Sequence, residues 1–145
     1  LGEFEDLLKN TETIIGYNIK HFDIPVLQPY LSLPLSKIKH LDMIFEVTSG
    51  AGFRPKLDNI ARTTLGVSKS ADGLQALKWY REGKIQEIKD YCLQDVKVTK
   101  ELFDFGRKNG FVKLVSREAM GEIRVSVNWN IMPAPAQEYL QEALL

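Results

Sequence analysis

The chain is poor in three things. It has one cysteine, two histidines and no net charge, with 19 Lys and Arg balanced by 19 Asp and Glu over 145 residues. The lone thiol, Cys92, excludes a disulfide framework and a cysteine-built zinc site. The missing positive excess excludes a protein that coats nucleic acid by bulk charge, but not an enzyme whose local site is itself acidic. No apolar run approaches the roughly 18 residues of a membrane span, so no membrane association is expected. With no signal-peptide pattern at the N-terminus, a reducing cytoplasm is the expected compartment. What is present suffices for a fold: 44% of residues are hydrophobic and 10% aromatic, which excludes disorder and allows one ordinary core.

Local patterns give an alternating order of elements. Gly2 to Lys9 reads as a helix that stops at Asn10, and Thr13 to Tyr17 as a short buried strand. A helix is expected from Ile24 to Leu31, with Pro25 in its first turn, and a second strand from Lys39 to Val47. Thr48 to Pro55 reads as a loop, and Lys56 to Leu65 as an amphipathic helix ended by Gly66. A helix carrying Leu74, Leu77, Trp79 and Tyr80 follows, capped by Ser70 or Asp72, and a long one spans Lys84 to Arg107. Phe111 to Val115 and Glu122 to Trp129 alternate like a hairpin. The order predicts an α/β domain. Two central strands are too few for a stable parallel sheet, which predicts strands upstream of Leu1.

Two carboxylates sit where apolar residues would be ordinary. Asp95 shares one helical stripe with Ile88, Tyr91, Val98 and Leu102. Facing the core, it would need a cation, a metal or several donors. On a half-exposed edge it would need nothing. Asp23 stands between Phe22 and Ile24 directly after the first strand, either as the N-cap of the next helix or as a ligand-facing carboxylate at the sheet edge, or as both.

Taken together, these segments resemble the DnaQ-like 3′–5′ exonucleases of the ribonuclease H fold. Gly16-Tyr17-Asn18 followed by Phe22-Asp23 is similar to that family's second motif. Tyr91-Cys92-Leu93-Gln94-Asp95 is similar to its third motif, with 72 residues between positions 23 and 95. Asp90 stands where the histidine subclass carries its histidine, so the likeness is to the tyrosine (DEDDy) subclass. The Gly73 to Ile85 stretch and the hairpin point to stand-alone or helicase-associated members.

The resemblance implies a ribonuclease H-like mixed sheet flanked by helices, with N-terminal strands missing from this chain and a C-terminal β-hairpin. Residues 1–131 would be the C-terminal part of one exonuclease-like domain, with the hairpin at 111–129. Residues 132–145 would be a linker or short helix. The family's first motif, Asp-x-Glu, is absent: Glu3-Phe4-Glu5 and Asn10-Thr11-Glu12 are decoys.

The implied chemistry is metal-dependent phosphodiester hydrolysis at a single-stranded DNA or RNA 3′ end, with two divalent ions, Mg²⁺ or Mn²⁺. Asp95 would bind the water-activating ion, Asp23 would contact the second, and Tyr91 would orient the attacking water. Asn18 and Phe22 would contact the nucleotide, with bracing of Asp23 and core packing as their respective alternatives. Lys20, His21, Arg54 and Lys56 are further basic residues near this edge, which either touch phosphate or stand solvated. Asp42 either supports the site or is exposed, and Trp79 and Tyr80 read as packing residues. With two of four carboxylates, the chain alone is expected to be inactive. The alternatives are a non-catalytic nucleic-acid-binding or scaffolding module and a docking surface for a helicase-like partner, and an exposed strand edge would leave self-association open.

Overall fold

The computed structural model describes residues 1–67 and 73–130. Helix α1 (Gly2–Lys9) leads into strand β1 (Thr13–Gly16), and α2 (Asp23–Leu27) follows. Strand β2 (Lys39–Asp42) then runs directly into α3 (Met43–Ala51). Helices α4 (Leu57–Leu65), α5 (Gly73–Arg81) and α6 (Ile85–Asn109) precede a hairpin of β3 (Phe111–Ser116) and β4 (Gly121–Ser126). The α/β class is therefore as expected. Among the described residues the strands form two separate pairs: β1 and β2 are parallel, and β3 and β4 are antiparallel.

Four boundaries differ clearly from the sequence reading. The helix expected to reach Leu31 stops at Leu27 and tightens into a 3₁₀ turn, Gln28–Tyr30. Pro29 has no N–H to give Pro25, so the α-helix cannot continue through it. The strand expected over Lys39 to Val47 ends at Asp42, and its apolar second half is helical. Asp42 caps that helix by accepting from the Ile44 N–H at 3.4 Å, and Met43, Ile44 and Val47 turn to the interior. The loop expected from Thr48 therefore begins only at Gly52, whose left-handed φ of 78° closes α3. The hairpin's second strand ends at Ser126 rather than Trp129. The Ser70 or Asp72 cap and the segment 132–145 lie outside the described residues.

Strand β1 divides two cores through its alternation. Ile14 packs with Leu8, Leu31 and Leu35 on one side. Ile15 packs on the other side against the larger core of Met43, Val47, Ile60, Leu102, Phe103, Val112, Leu114, Val125 and Trp129. This larger core joins α3, α4, α6 and the hairpin, and it fixes the C-terminal half of α6 beside the end of β1. Gly106 allows that approach, since a Cβ there would run into the Trp129 ring. Among the described residues no helix is long and apolar enough to cross a membrane.

Candidate active site

The site starts where β1 ends. Gly16 is buried and pairs with Asp42 across the parallel ladder. A side chain at Gly16 would collide with Ile19, because the chain folds back immediately. Asn18 takes a left-handed φ of 65°, which asparagine tolerates better than most residues. Asp42 holds this turn. Its carboxylate is 6% exposed and accepts from the Asn18 N–H at 2.6 Å and the Lys20 N–H at 2.9 Å, besides the Ile44 N–H. Of the two readings open for Asp42, the structure takes support over exposure. Both of its oxygens thereby accept from backbone donors.

The turn delivers Phe22 and Asp23 to a cavity of about 490 Å³. Phe22 is 63% exposed, so it is not a core residue. Asp23 is the first residue of α2 rather than its N-cap, a position held by Phe22 without a side-chain bond. Partial desolvation raises the Asp23 carboxyl above its ordinary value, opposed by its own backbone hydrogen bond and reinforced by the charge of Asp42. From the opposite wall α6 contributes Asp95, with Val96, Thr99, Lys100 and Phe103. Asp95 is half-buried at the cavity edge, neither in the core nor fully solvated. Lys100 is engaged by Asp104 at 2.6 Å.

The two carboxylates singled out from the sequence thus line one cavity, together with Phe22. The other two named residues do not line it. Tyr91 is half-buried one turn earlier on α6, its ring edge-on to Trp79 at 6.4 Å. Asn18 accepts a hydrogen bond from the Arg54 guanidinium outside the cavity. Trp79 is a packing residue as expected, whereas Tyr80 is 70% exposed and is not. Lys20 and His21 lie against the Phe45 ring at 5.4 and 5.5 Å. Cys92 is exposed and free.

Sequence reasoning passed over Tyr17 as a bracing residue. Its hydroxyl donates to the Pro55 carbonyl at 2.6 Å, tying the loop after α3 to the end of β1. Burial pushes its phenol strongly upward, so it remains a neutral donor. The only signal for this was its place inside the Gly-Tyr-Asn run.

Asp23 and Asp95 supply hard oxygen donors to one cavity. Among the described residues no group of three His, Cys, Asp or Glu side chains is placed to hold an ion. Asp42, whose charge acts on Asp23, holds the turn through three backbone N–H groups. The described residues therefore fall short of a complete two-ion site.

In the comparisons with known proteins, a family model described as RNase_H superfamily (RNase_H_2) matches residues 1–105. The match takes in both carboxylates and ends within α6, so the β3–β4 hairpin lies beyond it. Neither the curated proteins nor the solved structures searched give a match.

Proposed function

The chain belongs to the RNase H superfamily, and from that premise we propose that it is a 3′–5′ exonuclease domain of the tyrosine subclass, acting on single-stranded DNA or RNA. A nuclease-like role on nucleic acid follows from the superfamily. The finer reading is carried by one observation: Asp23, from the end of β1, and Asp95, from α6, line the same cavity although 72 positions separate them. Phe22 gives that cavity an exposed ring suited to a terminal sugar or base. Tyr91, one turn from Asp95, is assigned to positioning the attacking water, and Asn18, held by Arg54 and Asp42, to shaping the nucleotide end.

The cofactors proposed are Mg²⁺ or Mn²⁺, with Asp23 and Asp95 as two of their oxygen ligands. Two carboxylates hold such ions weakly, so the 145-residue chain alone is predicted to be inactive. The deciding experiment uses the complete natural protein and a 5′-labelled single strand with Mg²⁺ or Mn²⁺. A ladder shortening from the 3′ end, abolished by Asp23→Asn or Asp95→Asn, is the expected result. Internal cuts, or products indifferent to both substitutions, overturn the reading. Binding without any hydrolysis favours the second reading, a non-catalytic nucleic-acid-binding module, for which the lack of a three-ligand cluster among the described residues speaks.

A further inference from the structure

A second cavity, of about 650 Å³, lies between the loop after α3, the start of α4 and the tip of the hairpin. We propose that this groove binds the sugar–phosphate backbone and a stacked base of a single strand whose 3′ end occupies the Asp23–Asp95 cavity. The proposal rests on the nuclease reading for the polarity of the strand, but not for the binding itself.

Charge is the first argument. Arg54, Lys56, Arg62 and Arg117 line the groove against Asp58 and Glu118, in a chain whose net charge is zero. Arg62 stands 4.0 Å from Asp58, and Arg54 is held by Asn18. The side chains of Lys56 and Arg117 make no ion pair or hydrogen bond among the described residues, and both are exposed. These are two cations from opposite walls, available to phosphate.

The second argument is the aromatic and apolar floor. Phe53, Pro55 and Val115 line the groove, and Phe53 is 36% exposed. Interleaved cations and an aromatic face are what sequence-tolerant single-strand binding uses. The third is rigidity. The Asn59 side chain both donates to the Val115 carbonyl at 2.9 Å and accepts from its N–H at 2.8 Å. Thr64 pairs in the same two ways with Lys113, at 2.8 and 2.9 Å. Helix α4 thereby clamps the edge of β3, and the groove is formed before any ligand arrives.

Continuity is the fourth. Arg54 lines the groove and reaches Asn18, while Pro55 lines it and accepts from Tyr17, which lines the carboxylate cavity. Leu57 lines the carboxylate cavity, between Lys56 and Asp58 of the groove. One strand can pass from one cavity to the other along residues 54–58. Part of the groove's wall, Val115 to Glu118, comes from the hairpin beyond the family match.

The test is fluorescence anisotropy of a labelled oligothymidylate of about 12 nucleotides with the 145-residue chain in EDTA, where no hydrolysis competes. Lys56→Gln with Arg117→Gln should weaken binding about tenfold at low salt and flatten the log–log salt slope by about 1.4, the value for two lost phosphate contacts to a single strand. Phe53→Ala should weaken binding at least several-fold and leave that slope unchanged. Lys108→Gln, in the last turn of α6 and outside the groove lining, serves as the charge control and should bind as the parent does. Parent-like affinity in the double variant, no binding by the parent, or equal use of these residues by duplex DNA overturns the proposal. Hydrolysis by the complete protein with groove-independent binding sinks the groove alone. Groove-dependent binding without hydrolysis sinks the nuclease reading alone.

Discussion

Asp23 carries a cost that marks it as more than a helix-starting residue. Its carboxyl is raised because the fold partly desolvates it and places the Asp42 charge nearby. A carboxyl whose folded pKa exceeds its unfolded one adds nothing against folding below the unfolded value, near pH 4, and weakens the fold as pH rises through the folded value. Asp23→Asn is therefore expected to raise the urea midpoint at pH 7, with the gain vanishing below about pH 4. A gain that persists at acid pH would contradict this account. Asp42 is a buried carboxylate with three backbone donors. Asp42→Ala should cost about 3 kcal/mol in urea unfolding and speed amide exchange at Asn18 and Lys20. Asp23 was visible in the sequence as a carboxylate among apolar neighbours, whereas Asp42 was left between support of the site and exposure. Their tasks separate only in the folded chain, because two of the three bonds to Asp42 come from residues 22 and 24 positions away.

Among the elements, α3 was the hardest to read. Met43-Ile44-Phe45-Glu46-Val47 is a short apolar run, and such runs suit a buried strand or a buried helix equally. The cap by Asp42 and the left-handed Gly52 decide for helix, and each looks like ordinary loop chemistry in the sequence. Helices α4 and α6 were legible because their apolar spacing is long and glycine ends both of them, at Gly66 and Gly110. Gly106 inside α6 is set by packing rather than by helix propensity. Gly106→Ala gains about 1 kcal/mol of propensity but forces a methyl into Trp129, so a net loss of about 1–2 kcal/mol is expected in thermal or urea unfolding. Helix α5 shows the reverse. Leu74 is 76% exposed and α5 has no buried residue, so Leu74→Gln should change stability by less than about 0.5 kcal/mol. A larger loss would mean that α5 belongs to the core.

Across the whole molecule, the arrangement explains how a neutral chain can serve nucleic acid. Charge is sorted locally: carboxylates at the end of β1 and on α6, and cations along the neighbouring groove. The neutral total hides both. The superfamily match spans both Asp23 and Asp95, which line one cavity, and two carboxylates alone are the reason the chain by itself is expected to be silent. The separation of β1 and β2 from the hairpin into two sheets was not legible, since strand pairing between distant segments is set by packing and not by local pattern. The central claim is that Asp23 and Asp95 form one divalent-ion-directed site. Its most direct measurement is paramagnetic broadening of backbone amide resonances by Mn²⁺ added to the 145-residue chain. The account predicts selective broadening around residues 16–23 and 95–99, abolished by Asp95→Asn. Broadening confined to other carboxylates, or unchanged in that variant, would contradict it.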